Sequence, residues 1–380
     1  MAKPLSRRVR RWCGYALALA LVAVCVGAVV AASTVDPAFE PVLSRLVADG
    51  FSESRLRRLF SRAEMVFTQK AMADKLTALY MRKYGLRLVA DIQTQLADLG
   101  WYPGPVTGRM DRMTRWSITA YLKAVGLPPD PVATEALLAE LRRRPDRAPA
   151  DIVFPEFNTA EVHDVVLSPG RLAEAKAFYA RNREALARVR TRYGVPEEYL
   201  VALLAVETRV GLYLGDVVAV VNLSSLVAAE DPARVASAFA YEQPDATRQA
   251  WLDKKAREKG EWAYGELKAL LRYAEEQGID PLSIPGSIYG AIGICQFMPS
   301  NALKYAVDGD GDGRADLFNV DDALMSLGNI LRAMGWKPTM TEAAMRKVFY
   351  AYNHSQVYVN TIMGAAELLR EAAASGTLNS

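Results

Sequence analysis

The densest chemistry in the chain lies in residues 286–322, GSIYGAIGICQFMPSNALKYAVDGDGDGRADLFNVDD. Glycines at 286, 290 and 293 let backbone bend tightly, or approach a ligand where a Cβ would clash. Ser287 and Gln296 add hydrogen-bonding groups and nearby aromatics add flat apolar faces, which together suit a carbohydrate cleft. The aspartate run that follows has the spacing of a calcium loop. Asp308, Asp310 and Asp312 stand at positions 1, 3 and 5, Gly313 at 6, and Arg314 at 7 through its backbone carbonyl. Position 12, glutamate in the EF-hand motif, is Asn319, so the loop is EF-hand-like and incomplete. Hard oxygen donors favour calcium over zinc. The plainer reading of the same residues is a solvated acidic turn.

A cleft of this kind needs a proton donor, and the best candidate is on a helix far upstream. The segment YGVPEE at 193–198 reads as a helix start, with proline and carboxylates at the positive end of the dipole. The helix continues as YLVALLAVETRVG, with Gly211 as its expected stop. Leu200, Leu203 and Leu204 lie at i, i+3 and i+4, and Glu207 at i+7 shares their stripe. A carboxylate there is costly unless paired or neutral. Desolvation raises its pKa and makes it a candidate general acid. The alternative is a core glutamate paired with an arginine. Arg209, two residues on, cannot face it within one helix.

Around these residues the composition is that of an exported globular protein of 380 residues. Lys3, Arg7, Arg8, Arg10 and Arg11 precede an uncharged run over residues 12–34. Residues 1–35 are therefore expected to be a signal peptide or an inner-membrane anchor with its basic end in the cytoplasm. Length favours the anchor, whereas Val30, Ala31, Ala32 and Ser33 offer small-residue cleavage sites. Either places the remainder in the periplasm or cell envelope. Setting aside the five leader cations leaves 41 basic against 43 acidic residues, which makes nucleic acid an unexpected partner. Of three cysteines only Cys295 lies beyond the leader, excluding an internal disulfide or a cysteine zinc site there.

Helical periodicity dominates. Residues 36–83 read as helices, with Leu43, Leu46 and Val47, then Leu56, Leu59 and Phe60, at helical spacing around Gly50. Residues 84–141 form a separate unit: a stripe of Val89, Ile92, Leu96 and Leu99, the turn-rich LGWYPGPVTG, a helix through Thr114, Ile118 and Tyr121, then GLPPD. In that order these features resemble the small three-helix peptidoglycan-binding module. Residues 142–164 read as a polar linker with Pro145 and Pro149, and 165–380 as helical. A short strand-like alternation spans residues 162–167.

VETRVG, GSIYGAIGICQFMPS, the aspartate loop and YNHSQVY, in this order, resemble the membrane-bound lytic transglycosylase B family. The resemblance covers residues 165–370, with a weaker match at 39–83, and implies a mainly α, lysozyme-like catalytic domain with the three-helix module inserted in it. It implies Glu207 as the single acid/base. Ser287, Gln296, Phe297 and Met298, together with Tyr352, Asn353 and Tyr358, would line the saccharide cleft. It closes the metal loop with Asp322 and implies peptidoglycan glycan strands as substrate and no organic cofactor. Glu207 would protonate the bridging oxygen between N-acetylmuramic acid and N-acetylglucosamine, then deprotonate the muramoyl C6 hydroxyl to close a 1,6-anhydro ring. The family's usual tryptophan, glycine and tyrosine are Val210, Cys295 and Ile330 here, and residues 227–260 lack its arginine pair. Two other readings stand: a hydrolytic muramidase, with Asp216 the nearest second carboxylate, and a non-catalytic peptidoglycan-binding scaffold. His354 reads as a structural hydrogen-bonder, and His163 carries no motif.

Overall fold

The computed structural model describes residues 34–157, 160–239 and 244–379. The leader expectation falls on residues outside these. No described helix is long and apolar enough to cross a membrane. The chain divides into two compact units after Phe67.

The first unit carries α1 (Glu40–Ala48) and α2 (Glu53–Phe60). Phe39 is fully buried and meets Phe60 and Phe67 edge-on, at ring-centroid distances of 5.6 and 6.4 Å. Asp36 ties the ends of the unit together, because its carboxylate accepts from the N–H groups of Ala38 and Phe67, each at 2.9 Å. Gly50, with φ +90°, reverses the chain between the helices.

The second unit begins with α3 (Lys70–Asp98), followed by α4 (Arg112–Ala124) and α5 (Glu135–Arg143). No break in α3 marks residue 84, so one helix serves both sides of the boundary drawn from sequence. Its second half packs Leu88, Ile92 and Leu96 with Trp101, Ile118, Tyr121, Leu138 and Leu141 into a separate apolar core. Capping follows the residue types, since Asp111 accepts from Thr114 N at 2.7 Å and Thr134 from Leu137 N at 3.0 Å. Gln93 is fully buried within this core. Its Oε1 accepts from the N–H groups of Thr107 and Gly108, at 2.9 and 2.8 Å, and its Nε2 donates to Thr114 Oγ1 at 2.7 Å. The turn-rich loop is thereby pinned to α3. Gly108 lies so close to Leu86 that an added Cβ would sit 2.5 Å from its carbonyl oxygen.

Beyond the linker come α6 (Pro169–Arg181), α7 (Arg183–Tyr193) and α8 (Glu197–Glu207). Then β1 (Val217–Val218) leads into α9 (Ala219–Ala228) and α10 (Ala246–Gln277). β2 (Pro285–Gly286) pairs antiparallel with β1, Val217 opposite Gly286. Last are α11 (Pro299–Tyr305), α12 (Val320–Ala333), α13 (Glu342–Tyr352) and α14 (Gln356–Ala374). The alternation at 162–167 forms a turn: His163 N donates to Thr361 Oγ1 at 2.8 Å, so a side chain rather than a neighbouring strand takes that N–H.

Helix α8 is the centre of this part. Every residue from Tyr199 to Ala205 is buried, so the expected apolar stripe is in fact the whole circumference, as for a helix enclosed by others. Tyr199, Trp336 and Phe349 pack with centroids 5.7 Å apart in each pairing, joining the start of α8, the segment after α12 and the end of α13. Trp336 Nε1 donates to Gly194 O at 2.9 Å.

Gln93→Leu keeps the volume but strands two loop N–H groups in an apolar core. It should destabilise the protein by about 2–4 kcal/mol, measured by urea unfolding. A loss within 0.5 kcal/mol would mean the loop does not depend on Gln93.

Candidate active site

Glu207 is the last residue of α8. The helix stops there and not at Gly211, because the next residues leave helical space. Arg209 and Val210 have φ of +56° and +54°, which is unfavourable for a β-branched valine. Leu204 O takes both Thr208 N and Val210 N, at 3.0 and 2.9 Å. Thr208 Oγ1 donates to Ile294 O at 2.7 Å and accepts from Gly211 N at 3.0 Å. The end of α8 is thus locked to the glycine-rich loop. Among the described residues the one other non-glycine at positive φ is Gln296, at +51°, so backbone strain concentrates around Glu207.

Residue Glu207 is half-buried, and its carboxyl is held away from water. Burial raises its pKa to about 7, against which the hydrogen bond from Tyr358 acts in the opposite sense. Tyr358 Oη donates to Glu207 Oε1. No cation among the described residues pairs with this carboxylate, and Arg209 is bonded to Glu174. Desolvation therefore wins, and the group is poised to hold and release a proton near neutrality.

The tyrosines form a wall. Tyr352 stacks on Tyr358, with planes 8° apart and centroids 6.5 Å apart. Its Oη donates to Cys295 O at 2.7 Å. Phe297 is 2% exposed and packs behind Tyr352 with centroids 6.5 Å apart, so it supports the wall more than it presents surface. Burial, first, and the nearby Glu207 charge push both tyrosine hydroxyls well above their usual range. They act as neutral donors. Asn353 is exposed at the end of α13.

Residues 286–298 form the loop that this wall rests on. Ser287 Oγ accepts from the N–H groups of Tyr289 and Ala291, at 3.3 and 3.1 Å, shaping the turn. Gln296 and Met298 are half-buried, and Gln296 Nε2 donates to Gly293 O at 3.1 Å. Gly293, with φ +73°, packs where an added Cβ would meet Leu317 at 2.5 Å. Behind the loop, buried Glu266 of α10 accepts from both Ser300 N and Ser300 Oγ, at 2.9 and 2.8 Å. This anchor joins residues far apart in sequence, and no local motif points to it.

The acidic loop abuts the cleft loop directly, since Ile294 N donates to Leu317 O at 2.9 Å and Cys295 Sγ to Ala323 O at 3.0 Å. Asp308, Asp310 and Asp322 each bring a carboxylate oxygen within 4.8 Å of the others. Asp312 is not in that group; its carboxylate turns back to accept from Arg314 N at 2.8 Å. Asn319 donates to Asp310 at 2.7 Å and caps α12 by accepting from Asp321 N at 2.8 Å. A capping role at α12 therefore replaces the closing glutamate of an EF-hand. Asp322 is almost fully buried and accepts from Gly309 N and Asp316 N, each at 2.7 Å. Burial nevertheless raises its pKa, whereas backbone N–H groups of the open loop lower that of Asp308.

Of the family positions that differ, Val210, Cys295 and Ile330 are all buried.

Known families match two parts of the chain. The transglycosylase SLT domain model matches residues 126–347, and a peptidoglycan binding domain model matches residues 87–141. Membrane-bound lytic murein transglycosylase B of Escherichia coli (strain K12) is 32% identical over 170 residues, 45% of this chain and 40% of that protein. The match thus spans well under half of that relative's length. Among solved structures, Escherichia coli lytic transglycosylase Slt35 in complex with bulgecin A has a TM-score of 0.53 at 19% identity, covering 89% of this chain and 94% of that one. The same enzyme in complex with calcium gives 0.52 at 19% identity, with the same coverage. The fold is that of these lysozyme-like enzymes, and the chain belongs to the transglycosylase SLT domain family.

Proposed function

We propose that this protein is an envelope-facing lytic transglycosylase that cleaves the bond between N-acetylmuramic acid and N-acetylglucosamine in peptidoglycan. The observation that carries the reading is a desolvated Glu207 with Tyr358 as its hydrogen-bond donor and no ionic partner. Its carboxyl protonates the glycosidic oxygen as the bond breaks. The substrate's own acetamido group stabilises the developing cation. The carboxylate then takes the proton of the muramoyl C6 hydroxyl, whose oxygen closes the 1,6-anhydro ring. Water is not consumed, and one carboxylate suffices for both steps.

A muramidase would need a second carboxylate close enough to act on the same sugar. Neighbouring negative charge would then raise the Glu207 pKa further, and no carboxylate contributes to its shift. Asp216 is exposed and accepts from Tyr213 Oη at 2.5 Å. We assign Ser287, Gln296, Met298, Asn353 and the two tyrosines to the saccharide cleft, with Phe297 behind them. The unbroken α3 supports a module inserted in the catalytic part rather than appended to it. Residues 1–35 export or anchor the chain.

We also assign a structural calcium to Asp308, Asp310 and Asp322. Three gathered carboxylates, one of them buried, suit a hard cation. Bound there, it would brace the loop that carries Ile294 and Cys295, and it takes no part in the chemistry.

Glu207→Gln should abolish the anhydromuramic ends that mass spectrometry detects after digestion of purified peptidoglycan. Hydrated reducing ends from the wild type would instead make the protein a muramidase, and binding without new products a scaffold. The same variant should be the more stable protein at pH 8. A folded-state pKa of about 7, above the usual carboxylate value, means stability present at low pH is lost as pH rises through 7. The advantage, about 3 kcal/mol at most, should vanish below pH 5.

Tyr358→Phe removes the bond that holds the Glu207 pKa down. The alkaline limb of the rate profile should therefore move to higher pH; a shift to lower pH would contradict the assignment. Saturating calcium should raise the melting temperature by roughly 5 °C relative to chelator, and Asp322→Ala should erase the difference. An unchanged melting curve would remove the metal.

A further inference from the structure

Two residues beyond Ser287, the cleft loop carries Tyr289, and Lys75 of α3 places its Nζ 4.1 Å from the centre of that ring. The loop is held to α9 at this point, where Asn222 Nδ2 donates to Ile288 O at 3.0 Å. Lys259 of α10 lies near enough to act on Lys75 electrostatically. Both lysines and the tyrosine are half-buried. Among the described residues neither lysine has an ionic partner. Asp74, the nearest carboxylate in sequence to Lys75, is bonded to Lys70 at 2.7 Å, and Glu258, beside Lys259, to Lys255 at 2.5 Å. Burial and then the Lys259 charge lower the Lys75 pKa. Two like charges partly removed from water repel and lose hydration, a cost that the face of Tyr289 at Lys75 and that of Trp262, 5.9 Å from Lys259 Nζ, offset only in part.

An anion bound beside Lys75, within reach of the Lys259 charge, relieves both penalties, and peptidoglycan carries such anions in its peptide stems. We propose that Lys75, Lys259 and Tyr289 form a subsite that receives a stem-peptide carboxylate of the glycan strand. This rests on the peptidoglycan reading above and adds which part of the substrate this flank takes. The site joins the cleft loop to the helix that continues into the three-helix module, the two parts assigned to the same strand. Lysine suits the task, with a compact charge and rotatable donors that follow a flexible peptide.

The test is the binding of soluble glycan strands, with and without their stems, by the full chain carrying Glu207→Gln to prevent cutting. The ratio of the two dissociation constants should favour stem-bearing strands, and Lys75→Met and Lys259→Met should each reduce that preference roughly fivefold. Lys259→Met is the sharper probe because the ring under Lys259 Nζ is that of Trp262 and not of Tyr289. If both variants keep the parent preference, the subsite is overturned. It is equally overturned if Lys75→Met alone matters, because Lys75 then only supports the tyrosine. Product analysis of the wild type is separate: stem preference without anhydro ends would sink the catalytic reading and leave the subsite standing.

Discussion

Keeping one carboxyl away from water is the constraint on which this molecule is organised. Glu207 ends a helix that is enclosed on all sides up to its last turn, so the acid leaves the core only at its tip. Burial alone would suppress ionisation, and a charged partner would restore it. The structure supplies neither extreme. A neutral phenol from α14 donates one hydrogen bond, and the balance holds the proton near neutral pH. The stacked tyrosine behind it, itself fastened to the backbone carbonyl of Cys295, keeps that phenol in place. Three stretches separated widely in sequence, at Glu207, Cys295 and Tyr352 to Tyr358, therefore converge on one proton.

The strain around this group has a purpose in the same terms. Arg209, Val210 and Gln296 adopt left-handed conformations, and each lies where α8 meets the glycine-rich loop. Thr208 bridges the two by donating to one and accepting from the other. The acidic loop stands immediately behind, in direct backbone contact through Leu317. A cation gathered by its aspartates would stiffen the loop that carries Ile294 and Cys295. The chemistry and the support are thus kept on separate sides of a single strip of backbone.

Much of this was legible in the chain because it is local. Glu207 shows itself by its spacing from three leucines, and the aspartates by theirs. The three-helix module is visible in its stripe and its turn residues. What escaped is non-local or depends on hydrogen bonds that no spacing encodes. The end of α8 came four residues before the glycine expected to stop it, since a threonine and two left-handed residues did the work. Asp312 had the right position in the loop yet turned to its own backbone. Asn319, which breaks the motif, proved to be a helix cap. Gln93, Glu266 and Lys75 each act on partners distant in sequence, and nothing beside them in the chain announces it.

The unbroken α3 has a mechanical consequence. Its 29 residues make a rod of roughly 43 Å at about 1.5 Å per residue, and one end of it is built into the three-helix bundle. A flexible linker would let that bundle wander and act only by raising local concentration. A rod holds it in fixed phase with the rest of the fold, so whatever the bundle grips arrives in a defined register.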